Sequence, residues 1–197
     1  MPRLLGISGS LRSASANSGL VRCAQAHAVK LDGVEWVTAD IGSLPLYNQD
    51  LEDGCEPAEV ALFRQQVRDA DAIFFACPEY NYNVTAALKN ALDWASRPNV
   101  WQGKAAAVVG AGGGSGTARA QLALRQSGVF LDLTFVNAPE VAIKRFEEKC
   151  FDEATGDLIS DKWSERIREM VERLLRLEGL LHVHDAATDL EPQAPKR

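Results

Sequence analysis

Three short segments carry the residues whose types and spacing suit ligand chemistry. The first, Ser8-Gly9-Ser10-Leu11-Arg12-Ser13-Ala14-Ser15-Ala16-Asn17-Ser18, places five serines, one amide and a single guanidinium just ahead of a helical pattern. Small hydroxyls, backbone N–H groups and one arginine at a helix N-terminus form a cradle for phosphate. Ser10, Arg12, Ser15, Asn17 and Ser18 are its candidate ligands. A serine turn that only caps the helix is the alternative, and Arg12 weighs against it because a cation has no use there. The segment contains neither G-x-x-x-x-G-K-[ST] nor G-x-G-x-x-G, so it is not a triphosphate loop, nor one that lays a dinucleotide across the first turn.

The second segment, Pro78-Glu79-Tyr80-Asn81-Tyr82-Asn83, mixes aromatics with amides directly after an apolar run. A flat heteroaromatic ligand could lie against Tyr80 or Tyr82 and be read by Asn81 and the backbone; tyrosines that merely cover a sheet edge are the alternative. Glu79 has no histidine partner in sequence and reads as a helix N-terminal or interfacial carboxylate. The third segment, Gly110-Ala111-Gly112-Gly113-Gly114-Ser115-Gly116, lets a backbone approach a ligand closely at Gly112, Gly113, Gly114 and Ser115, unless it is a flexible turn. Asp132 precedes the next strand rather than ending it, which rules out a Rossmann reading of this loop. No nucleophile–base pair and no G-x-S-x-G elbow is present. A phosphate cradle, an aromatic–amide wall and a glycine loop without a catalytic dyad suit a bound redox cofactor that carries the chemistry itself.

The elements that must position these segments alternate along the chain. Apolar runs at 4–7, 34–39, 72–77, 105–109 and 133–136 read as strands. Helical spacing follows Asn17 and Ser18, the expected N-caps, and recurs at 58–69, 85–95, 117–126 and 164–181. Residues 72–77 are continuously rather than alternately apolar, the mark of a central strand buried on both faces of a parallel sheet. Strand–helix alternation predicts a doubly wound α/β sheet with helices on both faces, in which ligands bind beyond the carboxyl ends of the strands. The loops 8–18, 78–85 and 110–117 should then meet at one edge.

Composition narrows the function further. With 197 residues, 46% hydrophobic and 24% charged, one globular domain is expected, spanning 1–185 and followed by a flexible, proline-bearing tail at 186–197. The net charge of −6 argues against a broad nucleic-acid surface. The four cysteines form no C-x-x-C pair, and His182 and His184 lack a third ligand, so no metal is expected. Nothing approaches a membrane span, and the N-terminal apolar stretch is too short for a signal peptide, so a cytoplasmic protein is expected.

Gly9-Ser10-Leu11-Arg12-x-x-Ser15-x-Asn17, Pro78-Glu79-Tyr80-Asn81-Tyr82 and Leu88-Lys89-Asn90-Ala91-Leu92-Asp93-Trp94 together resemble the NADPH-dependent FMN reductase family, over about residues 3–181. Residues 90–100, Arg119-Ala120-Gln121 and 124–133 are most similar to its plant-type NADPH:quinone reductases. The resemblance implies a flavodoxin-like fold with a five-stranded parallel sheet in the order 2-1-3-4-5. It implies non-covalent FMN, its phosphate held by Ser10, Arg12, Ser15, Asn17 and Ser18. The isoalloxazine would be held by Pro78, Glu79, Tyr80, Asn81 and Tyr82 with Gly112, Gly113, Gly114 and Ser115.

NADPH or NADH would be the cosubstrate, giving a hydride to flavin N5 that then passes to a small quinone-like acceptor. An electron carrier of the flavodoxin kind, or a flavin-binding regulatory protein without NAD(P)H turnover, is the alternative. A homodimer or homotetramer is also implied. Leu88, Leu92, Trp94 and above all Trp101, which falls in a turn, are the interface candidates; packing into their own sheet is the alternative, and for Leu88 and Leu92 an equal one. Three positions depart from the family's pattern: Thr85 where a proline is frequent, Ser115 with Thr117 in the glycine loop, and Leu122-Ala123 beside Arg119.

Overall fold

The computed structural model describes residues 1–145 and 149–188. Six strands and six helices follow one another among these residues: β1 (Arg3–Ser8), α1 (Ala16–Ala28), β2 (Glu35–Ala39), α2 (Gln49–Asp53), α3 (Ala58–Asp69), β3 (Ala72–Ala76), α4 (Ala86–Trp94), β4 (Ala105–Gly112), α5 (Ala118–Leu131), β5 (Thr134–Phe135), β6 (Ala142–Lys144) and α6 (Asp161–Thr188). The sheet is parallel in the order β2-β1-β3-β4-β5, as expected, with β6 also paired to β4.

β3 is buried at all five positions, as its unbroken apolar run requires. The period of two then divides its side chains between the layers. Ile73 and Phe75 join Phe63, Leu88, Leu92 and Leu124 under α3, α4 and α5, while Phe74 joins Leu20, Ile167, Val171 and Leu174 under α1 and α6.

The structure corrects the expected boundaries in several places. The α1 cap is Ser15, whose hydroxyl accepts from the N–H groups of Asn17 and Ser18, so those two residues lie in the first turn rather than at the cap. α5 continues to Leu131 and ends at Asp132 in the left-handed region, φ 59°, with Leu133 N–H bonded back to Gly128 C=O. α2 and β6, with five and three residues, are too short for a periodic signal. α6 begins at Asp161 and continues three residues into the expected tail; residues 189–197 lie outside the described residues.

Trp101 is the larger correction. It is fully buried, its ring centre 6.0 Å from Phe63 and 5.9 Å from Phe75, and its indole N–H donates to Leu92 C=O at 3.3 Å. Leu88, Leu92 and Trp94 are buried in the same layer. The turn folds back over α4, so these residues form core and not an exposed interface.

Candidate active site

The 8–18 loop leaves β1 beside its neighbour β3, where the chain directions from β1 diverge to β2 on one side and β3 on the other. A crevice opens at such a switch point. Ser8 Oγ and Ser18 Oγ are 2.9 Å apart and tie the end of β1 to α1. The Asn17 amide donates to Ala111 C=O at 2.9 Å and accepts from Ala111 N–H at 3.0 Å. Two bonds from one buried amide therefore fix the start of α1 against the glycine loop. Thr85 does the same on the other side: its hydroxyl donates to Gly9 C=O at 2.6 Å and accepts from Leu88 N–H at 3.2 Å. The threonine thus preserves the helix start and binds two loops together.

The second segment is a tight turn closed by paired Tyr80 and Asn83 backbone bonds, both 3.0 Å. Asn81 and Tyr82 at its centre have φ of 52° and 66°. Positive φ is unusual for tyrosine and costs strain unless surrounding contacts hold it. Here the Arg119 guanidinium carbon lies 3.8 Å from the Tyr82 ring centre.

Glu79 is the hinge of this arrangement. Thr117 makes no side-chain cap for α5, and the Glu79 carboxylate takes that role from across the cleft. It accepts from the N–H groups of Arg119 and Ala120 at 3.0 and 3.2 Å, from Ser115 Oγ at 3.2 Å and from Arg119 Nη1 at 2.8 Å. Burial acts to raise this carboxyl, but the bonds from Arg119, Ala120 and Ser115 outweigh it and hold the group below its ordinary value. The expectation of a helix N-terminal role for Glu79 holds. Two residues earlier, burial and the Glu79 charge push the Cys77 thiol up to about 12, so Cys77 is a protonated core group and no nucleophile.

Within the glycine loop two kinds of glycine separate. Gly116 has φ 62°, and a Cβ there would fall 2.4 Å from Ala142 C=O, so packing against β6 demands glycine. At Gly113 and Gly114 a Cβ would meet nothing within 4 Å. Those two positions border open cleft.

Three adjoining clefts collect the fourteen expected residues. Ser10, Arg12, Ser15, Asn17, Pro78, Glu79, Tyr80, Gly112 and Gly113 share one of about 210 Å³ at the β1/β3 switch. Asn81, Tyr82, Gly114 and Ser115 line a second of about 580 Å³, which it joins through Glu79 and Gly113. Ser18 faces a third of about 550 Å³ beyond the ends of β1 and β2, joined through Ser10 and Arg12. Arg145 in the first cleft and Arg119 in the second were not legible as lining residues. Arg145 follows β6, which sequence spacing does not reveal. Arg119 had a usable signal, since it falls in the first turn of the helix after the glycine loop.

A parallel 2-1-3-4-5 sheet with a cleft at the β1/β3 switch defines the flavodoxin-like class of α/β proteins. A solved flavoenzyme NAD(P)H:(acceptor) oxidoreductase from Paracoccus denitrificans shares the fold at a TM-score of 0.78 and 30% identity, covering 91% of this chain and 98% of that one. The chain is 46% identical over 184 residues to an NADPH:quinone oxidoreductase of Arabidopsis thaliana, covering 90% and 94% of the two chains. It is 47% identical over 175 residues to an NAD(P)H-dependent FMN reductase of Pseudomonas aeruginosa, covering 87% and 92%. The model of the NADPH-dependent FMN reductase family matches residues 2–148. The chain belongs to that family.

Proposed function

We propose that this chain is an FMN-dependent NAD(P)H:acceptor oxidoreductase whose acceptors are quinones reduced by two electrons. The observation that carries the reading is the single cleft that joins Ser10, Arg12 and Ser15 at the start of α1 to Gly113 at its far end. One end offers hydroxyls, a guanidinium and a helix N-terminus, the donor set of a phosphate site. The other end is floored by a glycine whose absent Cβ leaves room for a flat ring. The donor set and the bare floor both fit FMN. Family membership and the quinone-reducing relative from Arabidopsis thaliana support the acceptor class.

When bound, FMN supplies the hydride-accepting and two-electron chemistry. The chain's residues do the positioning. Ser10, Arg12, Ser15 and the start of α1, with Ser18 and Asn17 behind them, would hold the phosphate. Tyr80, Asn81 and Gly112 to Ser115 would flank the ring, with Pro78 and Glu79 fixing the loop that presents them. Glu79 itself caps α5 and pins Arg119, which sets the width of the cleft between the two loops. NADPH or NADH and the acceptor would use the wider space beside Tyr82 in turn.

We also propose a homodimer, on different residues from those the sequence suggested. Leu122, Val129 and Phe130 are 68%, 83% and 81% exposed on one face of α5, which is an apolar stripe that a two-fold pairing would cover. Among the described residues no helix is long and apolar enough to cross a membrane. Among the described residues no disulfide joins the four cysteines, which suits the reducing cytoplasm where we place this enzyme.

The purified protein should be yellow, release FMN on denaturation, and bleach rapidly when mixed with NADPH without oxygen. A colourless protein that also fails to bind added FMN would sink the reading. Bound FMN that bleaches only over minutes would assign the chain to electron carriage instead.

A further inference from the structure

The wider cleft has a single cation among its lining residues, and three contacts immobilise it. Arg119 Nη1 donates to Glu79 Oε1 at 2.8 Å and to Ser115 Oγ at 2.9 Å, while the guanidinium plane packs on Tyr82 at 3.8 Å. The Glu79 carboxylate is fully occupied, with two bonds from the start of α5 as well as those from Ser115 and Arg119 Nη1. It has no lone pair left for the rest of the guanidinium. Among the described residues, Arg119 Nε and Nη2 carry no hydrogen bond, and the side chain is 46% exposed.

An arginine on an open surface loses rotamer freedom when a ligand orders it. Here the protein has already ordered it, by a carboxylate, a hydroxyl and an aromatic face, with a planar fork left unpaired. Tyr82 is held at φ 66° to supply that face. Structural ion pairing alone would account for Nη1 but not for the stacking platform or for the unused edge on the cleft. A fork of this kind is matched in shape and charge to the oxygens of phosphate or carboxylate.

We propose that Arg119 is a specificity-determining residue that anchors an anionic oxygen group of the substrate at the mouth of the ring cleft. Two substrates offer that chemistry: the phosphates of the reduced pyridine dinucleotide, and an acceptor bearing an acidic group. The flavin's own phosphate is assigned to the opposite end of the trough, at Arg12, so the two cations do not compete for one group. The inference rests on the FMN-dependent reductase reading.

The test uses FMN-loaded protein and compares wild type with Arg119→Gln and Arg119→Lys in two half-reactions. Bleaching by NADPH and by NADH gives the apparent Kd of each and the limiting rate. Reoxidation by benzoquinone and by a sulfonated benzoquinone gives the acceptor dependence. The expected result for Arg119→Gln is a loss of about ten-fold or more in affinity for an anionic partner, the scale of a charged paired hydrogen bond. Any loss in benzoquinone reoxidation should be clearly smaller than the loss for the anionic partner, and Arg119→Lys should be intermediate because it keeps charge without the fork.

Loss for NADPH alone assigns the anchor to the 2′-phosphate, loss for both nucleotides to the pyrophosphate, and loss for the sulfonated quinone to the acceptor. Variants that keep FMN yet bind every anionic partner as wild type does would overturn the proposal. Equal losses for neutral and anionic acceptors, with no change for either nucleotide, would overturn it too, because they would mark a structural role only. Wild-type protein that does not bind FMN, or is not bleached by NADPH, would overturn the functional reading instead, before Arg119 comes into question.

Discussion

A side chain added at position 113 has only the cleft to enter, whereas one added at 116 collides with β6. The two glycines therefore make opposite predictions. Gly113→Val should leave the thermal midpoint of the FMN-free protein nearly unchanged and weaken FMN binding at least ten-fold, measured by flavin fluorescence titration, because its methyls take up ring space. Gly116→Ala should unfold at lower temperature, with a cost of about 1–3 kcal/mol from strained φ and a displaced backbone contact. Arg12 stands on the divide between two clefts with its Nη2 donating to Ala14 C=O at 2.6 Å, a contact that orients it without neutralising it. Arg12→Ala should weaken FMN binding by about 1.5–3 kcal/mol, the scale of a charged hydrogen bond, with the fold intact. An unchanged Kd for FMN would reduce Arg12 to a surface charge.

At the scale of elements, loops that look independent in sequence are clamped to helix ends. Glu79 caps α5 from 40 residues away, and Asn17 fastens α1 to β4 across 94 residues. Because the Glu79 carboxyl stands below its ordinary value, the stability it adds is fully present above the ordinary carboxylate pKa of about 4.3. That stability is lost as pH falls through the lowered folded value. The Tm difference between wild type and Glu79→Gln should then be widest above about pH 5 and narrow steadily below it. A gap that stays constant down to pH 3 would contradict the clamp. Trp101 illustrates the other use of a turn, which here closes the lower core over Phe63 and Phe75. Trp101→Ala should cost about 3–5 kcal/mol in denaturant unfolding, as large aromatic truncations in cores do, without changing the oligomeric state.

For the whole molecule, the sheet leaves α5 with an apolar outer stripe as well as an apolar inner face. Leu124 and Gly128 face inward, and Leu122, Val129 and Phe130 face out. Phe130→Asp should convert a dimer to a monomer in light scattering at micromolar protein, because a two-fold axis would place two carboxylates in one desolvated patch. Secondary structure by circular dichroism should not change. A wild-type chain that is monomeric with FMN bound would remove the dimer proposal while leaving the reductase intact.

Much of this was open to reading in one dimension because it depends on local chemistry. The continuous run of β3, the alternation of strands and helices, the serine–arginine loop and the glycine loop are each set by spacing or residue type, and the sheet order agreed with the family resemblance. Only the tertiary structure decided which side chains the loops leave available. Asn17 reads as a phosphate ligand, and only the fold shows that its amide also fastens to Ala111; Trp101 resembled an interface residue and is core. Glu79 was legible as a helix N-terminal carboxylate, but which helix it caps was not. Burial and hydrogen-bond partners are pairings between distant segments, so a residue's type shows what it can bond while the fold decides what is near enough to bond it. Arg119 follows the same rule, since its charge is plain in the sequence and the fixed, half-unpaired fork exists only once Glu79, Ser115 and Tyr82 are brought to it.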